Sequence, residues 1–189
     1  MIKCKNISKS FGKNEVISNL SVDFPVGSTL VSGANGSGKS TLLLLIAGIE
    51  SPDSGAIIFS AQEKRNKINS SISTDSIVPP DVFTLNELFK LQKAFNETND
   101  KLFESLVFET NLDRFLDCKI GNVSTGTKKK FSVVCALIKN SNLLMLDEPF
   151  NGVDNHSIEV LKEVILNDKR DKIIVEHQNV LPFNHLVSL

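Results

Sequence analysis

Eight consecutive residues, Gly33-Ala34-Asn35-Gly36-Ser37-Gly38-Lys39-Ser40, constrain this chain more than any other feature. They match the pattern G-x-x-x-x-G-K-[ST] at every defined position. The flanks fit as well: the β-leaning run Thr29-Leu30-Val31 precedes the loop, and Lys39 to Ala47 reads as a helix behind it. Glycines let such a loop curl so that its N–H groups point inward, and the helix N-terminus adds the positive end of a dipole. The loop therefore suits the phosphates of a nucleoside triphosphate. Lys39 is placed to bridge the β- and γ-phosphates, with the Ser40 hydroxyl available to Mg²⁺. A strand–loop–helix unit of this kind demands a parallel sheet covered by helices.

A second signal follows at Asn142-Leu143-Leu144-Met145-Leu146-Asp147-Glu148-Pro149. Its continuous apolar run is typical of a strand buried in a parallel sheet. Asp147 and Glu148 then stand at the carboxyl edge, where open α/β sheets bind ligands. Asp147 suits a Mg²⁺ shell, and Glu148 is the natural general base for a water attacking the γ-phosphate. Two solvated acids at a strand end are the plainer reading, which weakens beside an intact phosphate loop.

The rest of the chain reads in the same terms. Ile2 to Ile7 and Val16 to Phe24 alternate apolar and polar residues about a turn at Gly12-Lys13-Asn14, which predicts an antiparallel hairpin. Pro25 to Gly27 and Pro52 to Gly55 are turns, the second leading into a strand at Ala56 to Phe59. Helical spacing runs from about Thr84 to Phe115, enough for two or three helices. Another helix is expected from Ser124 to Ile138, with Ser124 as its N-cap. Ile158 to Leu166 is helical, and Ile173-Ile174-Val175 reads as the last buried strand. Lys128-Lys129-Lys130 reads as a solvated helix face.

Four shorter patterns choose among the nucleotide-binding folds. Val123-Ser124-Thr125-Gly126-Thr127 opens an apolar-periodic helix ahead of the Asp147 strand and resembles the signature of ABC ATPases. Asn151-Gly152-Val153-Asp154 resembles that family's D-loop, and Ile173-Ile174-Val175-Glu176-His177 resembles the strand ending in its switch histidine. Phe11 matches the aromatic that stacks on adenine, although an aromatic in a hairpin can equally be core. With the phosphate loop and the Asp-Glu strand, these make six landmarks in the family's order. The chain resembles an ABC transporter ATP-binding subunit of the small, minimal type.

The resemblance implies a P-loop NTPase core, about 1–75 and 136–189, carrying an N-terminal antiparallel β-subdomain and an inserted α-helical subdomain, about 76–135. It implies ATP and Mg²⁺ as ligands. The nucleotide site is Phe11 with Gly33, Ala34, Asn35, Gly36, Ser37, Gly38, Lys39, Ser40 and Thr41. Glu148, His177 and Lys39 carry catalysis, and Ser40, Asp75 and Asp147 hold the metal. Ser124, Thr125 and Gly126 close the site of a second nucleotide-binding subunit in trans, and Asp154 couples the halves. Two positions depart from the family: Asp75 stands where a Gln is usual, and Thr125 replaces the first signature glycine. Either change is expected to slow the site without abolishing it.

Composition narrows the partners. A net charge of −1, from 21 basic and 22 acidic residues, excludes a nucleic-acid binder held by phosphate neutralisation alone. Three scattered cysteines lack metal-ligand spacing and read as free thiols of a reducing compartment. No apolar run approaches the roughly 18 residues that span a bilayer. The resemblance implies a setting at the cytoplasmic face of the cell membrane, through separate permease subunits. The apolar, proline-bearing stretch Val78, Pro79, Pro80, Val82 and Phe83 is either their docking surface or a loop buried under the insert. Two alternatives remain: a soluble ABC ATPase driving assembly or repair, and a low-turnover regulatory subunit.

Overall fold

Apolar alternation builds the first strands, and local breaks in it shape them. The computed structural model describes residues 1–59, 69–176 and 181–189. Strand β1 (Ile2–Phe11) pairs antiparallel with β2 (Asn14–Phe24), as expected. The alternation slips between Cys4 and Ile7, the first of three register shifts along the pair. Asn6 and Asn19 take left-handed backbones there and join through their side-chain amides at 3.0 Å. Asn tolerates that conformation better than other side-chain-bearing residues. Ile2, Cys4 and Ile7 consequently all face the core. Burial also pushes the Cys4 thiol up to about 12, so it is an inert packing group.

The phosphate loop follows β3 (Ser28–Ser32) and opens α1 (Lys39–Ile46). Helix α1 is apolar nearly all round: Leu42, Leu43, Leu45 and Ile46 are buried, as suits a helix covered on most faces. Strand β4 (Ser54–Phe59) joins the far side of β1, giving the antiparallel order β2-β1-β4.

Strand β5 (Ser70–Ser73) precedes the helical part of the chain: α2 (Leu85–Phe95), α3 (Asp100–Glu109) and α4 (Thr125–Ile138). Thr84 and Glu87 cap α2 reciprocally, each side chain bonding the other's backbone N–H. Phe89 of α2 stacks on Phe103 of α3, and Gln92 of α2 donates to the Cys135 carbonyl of α4. Then come β6 (Leu143–Asp147), α5 (Asn155–Asn167), β7 (Asp171–Val175) and β8 (His185–Ser188). Strands β6, β7, β3 and β8 lie side by side in that order, all parallel.

The chain divides into two compact units. One comprises Met1–Ser70, Asn142–Asp147 and Arg170–Leu189; the other comprises Ser71–Ser141 and Glu148–Lys169. Both hold real cores, with Leu144, Met145, Val31 and Val175 fully buried in the first and Leu106, Leu112 and Val133 in the second.

Two strands escape the sequence reading. Strand β8 lies beyond Ile173-Ile174-Val175, so β7 is not the last strand. It is short and half exposed, with only Val187 buried, and therefore lacks an apolar run. Strand β5 is Ser-Ser-Ile-Ser, too polar to announce itself. Its buried hydroxyls are met by other serines: Ser141 donates to Ser71 at 3.0 Å, and Ser73 lies 2.9 Å from Ser132.

Candidate nucleotide-binding site

In the first unit the loop residues build the cradle that their pattern predicts. Gly36 and Gly38 adopt positive φ values of 82° and 93°, which residues with a β-carbon rarely take. A β-carbon on Gly38 would also sit 3.0 Å from Ile17 and from the Val16 carbonyl, so β2 presses the loop from one side. Because Gly38 is the N-cap of α1 and offers no side chain, no cap consumes the helix's first N–H groups. Among the described residues the buried Ser37 hydroxyl finds no hydrogen-bond partner. Lys39 is buried as well, and its ammonium donates to the Gly33 carbonyl at 2.9 Å and the Ala34 carbonyl at 2.8 Å. Uncapped donors, an orphan hydroxyl and a buried cation together fit a polyphosphate.

The sheet register brings Asp147 level with this loop. Asp147 of β6 pairs with Val175 of β7, and Val175 pairs with Val31 of β3, two residues before Gly33. Asp147 is buried at the carboxyl end of its strand. It and half-buried Ser40 supply the hard oxygens that Mg²⁺ prefers. Among the described residues no group of three or more His, Cys, Asp or Glu gathers as a self-sufficient metal site. Mg²⁺ is commonly bound by one or two protein oxygens together with substrate phosphates.

Phe11 is 46% exposed at the tip of the β1–β2 hairpin, so it is not a core residue. The Lys9 ammonium covers one of its faces, 5.1 Å from the ring centroid. Lys9 is itself fixed by the Ser51 carbonyl and the Glu50 carboxylate, at 2.9 and 3.0 Å. Sequence reasoning missed Lys9, whose two-residue spacing from Phe11 on one strand face was its available signal.

The second unit carries the remaining landmarks. Glu148 has φ 47°, a left-handed conformation uncommon for a residue with a side chain. Such outliers gather at functional sites, where the surroundings over-determine them. Its carboxylate accepts from the Asn151 side chain at 3.3 Å, and its carbonyl accepts from the Asn151 N–H. Ser124 caps α4, accepting from the Thr127 N–H at 3.1 Å, as expected. Thr125 is exposed in the first turn and Gly126 is buried. A β-carbon on Gly126 would fall 2.1 Å from the Gly152 carbonyl oxygen, so the two motifs meet backbone to backbone.

Asp154 caps α5, accepting from the Ser157 N–H at 3.0 Å, and also pairs with Lys130 at 3.1 Å. The Ser157 N–H bond, seconded by Lys130, holds its carboxyl down to about 2. A depressed carboxyl contributes stability that is full above its unfolded value near 3.8 and is lost as pH falls toward 2. We expect Asp154→Asn to destabilise the protein at neutral pH, with that difference shrinking below about pH 4 and gone below about pH 2. Acid-unfolding curves of the two proteins check this.

One expectation needs correction. Lys129 and Lys130 are not a solvated face: both are buried, and only Lys128 of the triplet is partly exposed. The carboxylate of Asp75, expected on a metal, lies 2.8 Å from the Lys129 ammonium. The stretch before α2 is not buried either, with Val78, Val82 and Phe83 at 77%, 66% and 37% exposure. His177 lies outside the described residues.

Known proteins carry the same organisation. A profile described as ABC transporter matches residues 17–151. The chain is 29% identical to the lantibiotic transport ATP-binding protein SrtF of Streptococcus pyogenes, over 100% of this chain and 81% of that one. It is 31% identical to the zinc import ATP-binding protein ZnuC of Rickettsia bellii, over 87% and 69% of the two chains. A solved ATP-binding subunit of an ABC transporter, 25% identical, superposes with a TM-score of 0.76 over 94% of this chain and 80% of that chain. The dimeric cassette of a bacterial ABC transporter, 19% identical, shares the fold at a TM-score of 0.80 over 100% and 94%. With the cradle built and the family profile covering most of its length, this chain belongs to the ABC transporter family, as an ATP-binding, ATP-hydrolysing subunit.

Proposed function

We propose that this subunit powers transport by closing on a second nucleotide-binding subunit when both hold ATP and opening after hydrolysis. The single observation that carries the reading is the cradle, where buried Lys39, orphaned Ser37 and an uncapped helix terminus converge on one loop. Phe11 offers its uncovered face to adenine. Residues Gly33 to Thr41 hold the phosphates, with Lys39 on the β- and γ-oxygens. Ser40 and Asp147 hold Mg²⁺, which when bound offsets the charge developing on the phosphate oxygens. Glu148 accepts the proton of the attacking water, and His177 orients the reacting groups.

Ser124, Thr125 and Gly126 of the second subunit close over the γ-phosphate. The positive end of the α4 dipole does the electrostatic work that an arginine does elsewhere. The chain has only three arginines, Arg65, Arg114 and Arg170, and none lies in a motif of the site. Asp154 transmits closure between the halves. The helical insert at about 76–135 meets separate permease subunits on the cytoplasmic face of the membrane, through the exposed stretch Val78 to Phe83. Among the described residues no helix is long and apolar enough to cross a membrane.

Relatives are named for lantibiotic transport, zinc import and lipoprotein release. Cassettes this alike serve such different cargoes that selectivity belongs to the membrane partner. Light scattering on the Glu148→Gln protein tests the reading. Mg·ATP should convert monomer to dimer. A protein that binds ATP and stays monomeric would overturn a self-sufficient sandwich and require a different second subunit.

A further inference from the structure

Helix α4 buries two consecutive lysines, at 4% and 7% exposure. An ammonium is almost never so buried unless something pairs with it. Lys129 reaches the Asp75 carboxylate at 2.8 Å. Lys130 reaches the Thr110 carbonyl at 2.9 Å, the Asp154 carboxylate at 3.1 Å and the Ser157 hydroxyl at 3.3 Å. Neighbouring residues on a helix point about 100° apart, so the two side chains grip different segments. Asp75 belongs to the turn after β5; Asp154 belongs to the turn that starts α5. One turn earlier on α4, Gly126 lies against the Gly152 backbone.

We propose that Lys129 and Lys130 are positioning residues that set the signature, Ser124 to Gly126, by clamping α4 between the Asp75 turn and the Asp154 turn. This rests on the reading that the signature acts in trans. Both acids are more than half exposed at their side chains, 74% for Asp75 and 54% for Asp154, so the pairs add little to stability. What they fix is the place of the helix start. A shift of either turn carries the signature with it, and Asp75 works by holding Lys129 instead of a metal. The family's usual neutral residue at position 75 is replaced here by an acid that has its cation waiting on α4.

The test uses the full chain in a Glu148→Gln background, reading ATP-driven dimerisation by light scattering and monomer affinity with a fluorescent ATP analogue. Asp75→Asn and Lys129→Met should each weaken dimerisation by about tenfold and leave monomer affinity within about twofold. The double variant Asp75→Lys with Lys129→Asp should recover most of that loss. Lys130→Arg should dimerise like the parent, whereas Asp154→Asn should not. These two keep the Lys130 arm decidable if Lys130→Met fails to fold.

Single variants that dimerise like the parent, or a swap that rescues nothing, overturn the clamp. So does an Asp75→Asn monomer that loses the Mg²⁺ dependence of ATP binding, because Asp75 would then be a metal ligand. A parent that binds ATP but never dimerises removes the trans reading and the clamp with it, whereas a dimerising parent with unaffected variants removes the clamp alone.

Discussion

Glu148→Gln is expected to lower steady-state ATP turnover by about 10³-fold while leaving ATP affinity nearly unchanged, within the range of a lost general base. The amide keeps the shape and polarity of the carboxylate but cannot accept a proton. The local frame should survive, because the Asn151 N–H is held by the residue 148 carbonyl, which the substitution leaves alone. The left-handed backbone at φ 47° does not distinguish Glu from Gln either, so no new strain is introduced. Coupled-assay rates with parallel binding titrations separate the two effects. Turnover within about tenfold of the parent would mean that the proton goes elsewhere, since one charge lost from a base costs more than that.

Gly126→Ala should be the most damaging small substitution in the second unit. Helix propensity alone predicts the opposite sign, since Ala stabilises a helix by about 1 kcal/mol relative to Gly. Space decides. The new β-carbon would meet the Gly152 carbonyl at 2.1 Å, far inside contact, and the obstacle is backbone that cannot rotate away. Overpacking of this kind typically costs about 1–3 kcal/mol, which cancels or exceeds the propensity gain. We expect a melting temperature lowered by a few degrees, roughly 2–4 °C per kcal/mol at this size. The larger consequence is a displaced signature, seen as loss of ATP-driven dimerisation. Glu104→Ala, exposed on α3 of the same unit, is the control and should retain dimerisation.

How much was legible depended on whether the cause was local. The loop from Gly33 to Ser40, the cap at Ser124 and the hairpin about Gly12 are set by their own backbones, so a short window of sequence sufficed. The buried run Leu143 to Leu146 announced β6 for the same reason. Strand β5 stayed hidden because its burial is satisfied by hydroxyls on Ser132 and Ser141, distant in sequence. Strand β8 stayed hidden because pairing with β3, rather than apolar content, defines it. The lysine triplet misled most. Three cations in a row look solvated until their partners are known, and Asp75, Thr110, Asp154 and Ser157 lie 20 or more residues away. Family resemblance singled out Asp75, but only the fold could show Lys129 beside it.

The bonds from Lys39 to the Gly33 and Ala34 carbonyls turn nucleotide capture into an exchange reaction. A loop rich in glycine loses much conformational freedom when it orders, and an unanchored cradle would meet that cost at each encounter with ligand. Here the lysine closes the ring on itself beforehand. An arriving phosphate trades two neutral carbonyls for charged oxygens at the same ammonium, and the loop has little left to fold. The side chain proposed to hold the nucleotide is also the template that keeps its seat in shape.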